Sequence, residues 1–216
     1  MNKYLKISYD LTPDMPIFEN NPSNKYKEVN SFKKGDNWSS ASVTIFTHNG
    51  THIDAPYHFY PRGKKIGDYQ IKEFIFNRCS VLDIVKKVGE SINANDLCGG
   101  EDKKCDLLLI RTGFGRKRKE SAYIHNGPWL HPEATDVILK NYPKLKAIGI
   151  DTISIASPQH LKKGEAAHRI LLKKVMIIED LNLEIVPERI KRIFVIPLFV
   201  KDVDSMPCTA FAEVEE

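Results

Sequence analysis

The sequence predicts an α/β fold: one domain over residues 1–216, with a mixed β-sheet closing toward a barrel and helices packed outside it. Three observations lead there. Short segments rich in Val, Ile, Leu and Phe recur between turn residues along the whole chain, and these are the mark of strands. Strands come early, whereas helices alternate with strands late, as a mixed sheet with outer helices requires. No change of composition, internal repeat or low-complexity tract divides the 216 residues, a length that suffices for one substantial core.

Taken in order, strands are expected over residues 5–11, 42–47, 79–85, 107–111, 147–151, 175–178 and 193–200, each an apolar run bounded by turn formers or charge. A helix is expected over residues 131–140, with Pro132 suited to its first turn and Ala134, Val137, Ile138 and Leu139 as its buried face. A second is expected over residues 164–174, where Ile170, Leu171 and Leu172 supply apolar surface, and a short third near Pro187.

Residues 48–58, HNGTHIDAPYH, place three histidines and a carboxylate within eleven positions. His48, His52, Asp54 and His58 are all even-numbered, so in extended backbone they share one face. A helix is a poor alternative, because Asn49-Gly50 signals a turn, Thr51 and Ile53 are β-branched, and Pro56 would break the ladder. The segment therefore reads as a bent strand leading into a loop. Imidazoles and a carboxylate converging on one face are what a zinc or manganese ion needs. The bland alternative, a polar strand edge with histidines bonded to backbone, suits one histidine better than four ligand-type side chains at this spacing.

Composition sets bounds on partners. Lys and Arg number 32 and Asp and Glu 28, so the net charge of +4 is small and spread, which argues against a nucleic-acid partner. The densest basic run, Arg116 to Lys119, follows Gly113 and Gly115 and reads as a solvated loop. Cys79, Cys98, Cys105 and Cys208 show no C-x-x-C spacing and read as free thiols of a reducing compartment. The first fifteen residues are interrupted by Lys6, Asp10 and Pro13 and do not resemble a signal peptide, and the apolar run from Ile193 is too short to span a bilayer. A cytoplasmic protein without a membrane partner is expected.

His48, His52 and Asp54 alone would leave coordination positions open, so further ligands are sought downstream. In HRILLKKVMIIED, His168 opens a helical stretch and Glu179 closes an apolar strand, where a charge needs a cation. His160, in the loop SPQHLKKGE, competes with His168 as the nitrogen ligand. The residues alone leave that choice open.

The string HNGTHIDAPYHF resembles the H-x-G-T-H-x-D-A-P-x-H-F signature of the metal-dependent cyclase family, which includes bacterial kynurenine formamidases and isatin hydrolase. DLTPDMPIF, LLIRTGF, GPWLHPEAT, GIDTISI, HRILLKKVMIIEDL and PLFVKDVDSMPCTAFAEV resemble further segments of that family, which together cover nearly the whole chain. The resemblance implies the family's α/β architecture, of the swivelling β/β/α type, and a homo-oligomer, dimer or tetramer. It implies two divalent ions per chain, zinc in preference to manganese. His48, His52 and Asp54 would hold one, Asp54 and His168 the other, with Glu179 shared, and this selects His168 over His160. His58 would be the catalytic acid and base, and Phe18 stands where formamidases commonly carry a tryptophan that packs on the substrate ring. The sequence departs from the pattern at Phe18, at Ala156-Ser157, where an acidic residue is common, and in an interval from His168 to Glu179 that is one residue short.

The activity implied is hydrolysis of a small amide or formamide, N-formylkynurenine being the family's best-known substrate. Water activated by the ions would attack the carbonyl, and His58 would protonate the departing nitrogen, since Asp54 and Glu179 are occupied by metal. Hydrolysis of isatin or another cyclic amide would use the same residues, and an inactive small-molecule or metal-binding protein of the same fold is the reading from another class. No cysteine has a histidine nearby in sequence, which disfavours cysteine catalysis.

Overall fold

The computed structural model describes residues 2–97 and 102–215, so Cys98 lies outside the described residues. In chain order the strands are β1 (Asn2–Lys6), β2 (Lys25–Asn30), β3 (Ser40–Thr44), β4 (His52–Asp54), β5 (Ile75–Phe76), β6 (Cys79–Asp83), β7 (Ser91–Ile92), β8 (Leu107–Arg111), β9 (Trp129–Leu130), β10 (Ala147–Ile150), β11 (Met176–Glu179), β12 (Arg192–Pro197) and β13 (Ser205–Glu215). The helices are α1 (Ser121–His125), α2 (Pro132–Asn141) and α3 (Leu161–Leu172).

Nine strands form one mixed sheet in the order β5-β12-β13-β4-β11-β10-β8-β6, with β1 also paired to β13. It curls toward a barrel, as expected from sequence. β6, β8, β10 and β11 run parallel, whereas β1, β5, β12 and β13 make antiparallel pairs. The halves meet at β4, which is antiparallel to β11 on one side and to β13 on the other.

The parallel half is apolar because both its faces are covered. Along β8 the side chains alternate: Leu107 and Leu109 enter the core inside the curl with Ile53, Ile178 and Phe74, and Leu108 and Ile110 pack under the helices. Helix α3 buries Gly164, Ala167, His168, Leu171 and Leu172, the i, i+3, i+4, i+7, i+8 stripe of a helix lying on a sheet. Helix α2 has Pro132 in its first turn and buries Ala134, Thr135 and Ile138, with Val137 and Leu139 packed alongside.

Several expected boundaries move, each for a local reason. The first strand lies over Asn2–Lys6, because the Ile7 and Ser8 amides both donate to the Ala210 carbonyl and end the ladder there. The strand expected over residues 42–47 is Ser40–Thr44; the chain turns away where the Phe46 amide donates to Asn24 Oδ1. The strand expected over residues 193–200 stops at Pro197. No helix forms near Pro187: Arg111 Nη1 donates to the Leu183 and Val186 carbonyls and holds this stretch as an irregular loop. Arg118, in the basic run read as solvated, forms a two-point ion pair with buried Asp180 and lies over the Tyr9 ring.

Strands β2 and β13 had no apolar signature to find. β2 and β3 pair apart from the main sheet, with Tyr26, Phe32 and Trp38 of this arm 66%, 69% and 59% exposed. β13 is built largely of small residues, and it succeeds because it lies between β12 and β4 and carries β1. No helix among the described residues is long and apolar enough to cross a membrane.

Helix α3 approaches the loop after β10 so closely that a Cβ on Gly164 would lie 2.3 Å from Ala156 Cβ and 2.8 Å from its Cα. Gly164→Ala sets an overpacking cost of about 3 kcal/mol, the upper end for a contact with backbone, against a gain in helix propensity of about 1 kcal/mol. The expected net loss of about 2 kcal/mol corresponds to a thermal midpoint lower by about 4–8 °C for a chain of this size. Calorimetry or thermal circular dichroism checks it, and an unchanged or raised midpoint would mean that the loop yields without cost.

Candidate metal centre

The histidine-rich segment converges by folding rather than by strand alternation. Only His52–Asp54 is strand; His48 and Asn49 stand in a turn closed by Asn49 N–H to the Phe46 carbonyl, and Pro56–His58 is one turn of 3-10 helix. Gly50 makes the hook possible with φ of 71°, in the region that glycine alone enters without strain, and a Cβ there would meet Leu11 Cδ2 at 2.7 Å. Period two does hold within β4, where His52 and Asp54 share a face and Ile53 enters the core.

The strands beside β4 complete the cluster. Glu179 pairs in register with His52 across β11, and Ser205 with Asp54 across β13. His48 Nδ1 lies 3.1 Å from Asp54 Oδ1, and His52 Nε2 lies 3.5 Å from Asp54 Oδ1 and 3.4 Å from Glu179 Oε2. His168 Nε2 is 3.3 Å from Glu179 Oε1 and 4.0 Å from Asp54 Oδ2. The short interval between His168 and Glu179 therefore leaves this imidazole facing the carboxylates. His160 caps the start of α3 and stacks on Trp129 with ring centroids 4.6 Å apart, outside the cluster.

Hydrogen bonds on the far side of each ring identify the nitrogen that carries the proton. A carbonyl oxygen only accepts, so His52 Nδ1, 2.8 Å from the Gly50 carbonyl, and His168 Nδ1, 2.9 Å from the Gly164 carbonyl, are donors. His48 Nε2 and His58 Nδ1 both lie 2.9 Å from Asp204 Oδ2 and donate to it. With these tautomers the neutral rings of His48, His52 and His168 turn lone pairs toward Asp54 and Glu179.

Lone pairs against carboxylates repel, and the groups are buried: His52 and Asp54 are 2% and 1% exposed. His52 Nε2 and both oxygens of Asp54 are buried without a hydrogen-bond partner. A native fold rarely leaves such groups unsatisfied, and a divalent cation between them answers the deficit. Nitrogen and carboxylate donors are the ligand chemistry of zinc and manganese, so the residues present fit such a group. His48, Asp54 and His58 each offer a ligand-type atom within 4.8 Å of the others, as do His52, Asp54 and Glu179.

Without a cation, protons are the remaining source of positive charge. Burial opposes charge on His48, but Asp54 and Asp204 outweigh it and raise its pKa to about 10. The same opposition ends with His52 and His168 raised by Asp54 and Glu179. Burial pushes Glu179 up, but His168 and His52 prevail and bring it to about 2; Asp54 and Asp204 are lowered in the same way.

The cluster floors a cavity of about 450 Å³, which His58, Asp204 and Glu165 also line. Phe18, Phe46 and Phe59 supply aromatic walls, and Ile153, Ala156 and Leu161 aliphatic ones. Glu179 Oε1 is oriented by the Ser154 hydroxyl at 3.0 Å and the Ile155 amide at 2.7 Å. The structure thus brings together every expected ligand, His58 and Phe18, and adds Asp204, which sequence reasoning missed. Its segment KDVDSMP shows only another acid near a strand, and the register across β4 that makes it relevant is not written in local sequence.

Proton and metal compete for the same nitrogens, so uptake should release protons and strengthen with pH. The sign is fixed by His48: its proton is favoured in the folded, metal-free protein from its ordinary 6.5 up to about 10, and must leave when a cation enters. The stability that this proton lends the metal-free fold is complete below 6.5 and lost as pH rises through about 10. Calorimetric titration with zinc in buffers of different ionisation enthalpy, at about pH 6 and about pH 8, should give proton release and tighter binding at the higher pH. Affinity that is flat or falling over this range contradicts the assignment of the imidazoles.

Comparison with known proteins agrees with the geometry. Residues 5–157 match the family model Cyclase. Kynurenine formamidase from Bacillus cereus is 26% identical over 209 residues, covering 97% of this chain and 96% of that protein, and the enzyme from Geobacillus thermodenitrificans is 29% identical over 212 residues, covering 97% of each. Isatin hydrolase A from Labrenzia aggregata superposes with a TM-score of 0.86 at 21% identity, covering 100% of this chain and 94% of its own. By the match of its sequence over more than half its length, the chain belongs to the cyclase family.

Proposed function

We propose that this protein is a metal-dependent hydrolase of a small aryl amide or formamide, with N-formylkynurenine the favoured substrate. The observation that carries the reading is the buried floor of Asp54, Glu179, His48, His52 and His168, where His52 Nε2 and both Asp54 oxygens have no hydrogen-bond partner, beneath a cavity walled by Phe18, Phe46 and Phe59. Full-length similarity to kynurenine formamidases supports the choice of substrate.

His48, His52 and Asp54 would hold one divalent ion and Asp54 and His168 a second, with Glu179 shared between them. Zinc is favoured, and manganese suits the same donors. When bound, such ions polarise the amide carbonyl and lower the pKa of water enough to supply a nucleophile at neutral pH. The residues supply the rest. His58 Nδ1 is committed to Asp204, which leaves Nε2 as the nitrogen that exchanges protons. It takes the proton freed as water attacks and delivers it to the departing nitrogen, without which the amine is a poor leaving group. The aromatic walls fit the ring of an aryl substrate, and Phe18 stacks without offering an indole donor.

The protein is further inferred to be a homo-oligomer, since an arm exposing Tyr26, Phe32 and Trp38 cannot be stable as a lone two-stranded hairpin without cover. The unbonded cysteines Cys79, Cys105 and Cys208 suit the cytoplasm.

Elemental analysis after mild purification should give about two divalent ions per chain. Asp54→Ala should lower occupancy of both, and His168→Ala mainly of one; activity that survives a strong chelator with no metal present defeats the site assignment. A hydrolysis screen over formylated aryl amines, isatin and simple lactams identifies the substrate class, and turnover of isatin in place of the formamides would shift the reading to a cyclic amide.

His58→Ala separates enzyme from binder. General acid–base catalysis is typically worth about 10² to 10⁴ in rate, so the variant should lose turnover by about that factor and keep its metal. Loss of both ions would make His58 a ligand, and undiminished turnover would remove it from the mechanism.

A further inference from the structure

We infer that Asp204 is a positioning residue that holds a metal ligand and the acid–base histidine in complementary tautomers through one oxygen atom. The inference rests on the proposed roles of His48 and His58. Asp204 Oδ2 lies 2.9 Å from both His48 Nε2 and His58 Nδ1. A carboxylate oxygen has lone pairs for two donors and, when ionised, can only accept, so both nitrogens must carry hydrogen. The two rings are thereby given opposite tautomers. His48 turns its Nδ1 lone pair toward Asp54, 3.1 Å away, where an ion is to bind, and His58 keeps Nε2 for the substrate.

The mounting of Asp204 explains why one carboxylate reaches both rings. Its backbone carbonyl accepts from the Ala55 amide at 2.8 Å, three residues before His58. Ser205 pairs with Asp54 in the sheet, and the Ser205 hydroxyl donates at 3.1 Å to the carbonyl of Thr47, the residue before His48. The start of β13 is thus tied to the chain on both sides of the histidine hook. Among the described residues the only basic side chains within ion-pairing distance of Asp204 are these two imidazoles, whereas the neighbouring Asp202 pairs with Lys65 at the surface. The imidazole rings lie with centroids 4.3 Å apart, so without a shared acceptor either is free to rotate or to change tautomer against the other.

Orienting partners of metal-bound histidines are typically worth about 10- to 100-fold in affinity or activity. In Asp204→Ala, kcat should fall by about that factor while KM moves less than about threefold, because the aromatic walls of Phe18, Phe46 and Phe59 are untouched. The direct readout is spectroscopic. Two-bond proton–nitrogen correlation spectra of the zinc-loaded protein, with histidine nitrogen labelled, should show His48 as the Nε2–H and His58 as the Nδ1–H tautomer; in metal-free protein His58 should keep the same form. The substitution should turn one or both into mixtures. Asp204→Asn, which keeps the shape and can offer an N–H in place of an acceptor, should give the same change where the alanine variant does not fold. Adding Asp204→Ala to His58→Ala should cost less than Asp204→Ala costs alone, only the share acting through His48 remaining, since residues acting as a unit are non-additive.

Tautomers unchanged in both Asp204 variants would overturn the inference, as would a full further loss of turnover in the double variant. Failure of the underlying reading has a different signature: His58→Ala alone would then keep full turnover, whatever the spectra of the Asp204 variants show.

Discussion

Asp54 and Glu179 place two carboxylates at the bottom of a fold where both are almost wholly shut off from water. Leaving an ionised carboxylate there costs several kcal/mol after relaxation, and imidazole lone pairs opposite it add repulsion rather than relief. The arrangement is stable only with positive charge among the five groups. That requirement accounts for the raised imidazoles and lowered carboxylates, and for His52 Nε2 and the two Asp54 oxygens, which are buried without a hydrogen-bond partner. It also accounts for β4, whose three residues lie between β11 and β13 and so collect a ligand or an orienting acid from each neighbour.

Strands β8 and β10 surround this concentration of charge with apolar side chains. The parallel half buries Leu107 to Ile110 on alternate faces, and α3 covers the outer face with Ala167, Leu171 and Leu172 while its one polar buried side chain, His168, faces Glu179. Gly164 serves both aims. Lacking a side chain, it lets the helix close on Ala156, and its carbonyl fixes the proton of His168. Of Ala156-Ser157, where the sequence departs from the family pattern, Ala156 lines the cavity and receives this close contact. The departure therefore bears on the cavity wall and helix packing, leaving the donor set itself complete.

How much was legible in the sequence follows from the range of the signals. Elements whose residues are apolar on both faces, such as β8 and β10, stand out because burial writes itself into composition, and α2 and α3 do so through their spacing. β13 does not: its small residues pack because neighbouring strands are there, and no local pattern states that. The histidine hook was legible as a bent strand leading into a loop, while the single shared face drawn from period two holds only for His52 and Asp54, since Gly50 and Pro56 bend the chain on either side. Asp204 belongs to the same class as β13. It is separated from His48 by 156 residues and from His58 by 146, so only the tertiary register brings the three together.

The four imidazoles also divide by what holds them. His52 and His168 donate to backbone carbonyls, neutral acceptors that fix a ring and its tautomer. His48 and His58 donate to a carboxylate, which fixes the ring as well and, at His48, joins Asp54 in favouring positive charge against burial. For His48 the carboxylate makes the opposite nitrogen a stronger donor to a cation. At His58 the same carboxylate fixes Nδ1 as the donor and leaves Nε2 as the nitrogen it does not engage, the orientation that a buried acid gives the histidine of a catalytic triad. One oxygen atom thus fixes two rings at once, and among the described residues Asp204 is the one carboxylate hydrogen-bonded to any of these four rings.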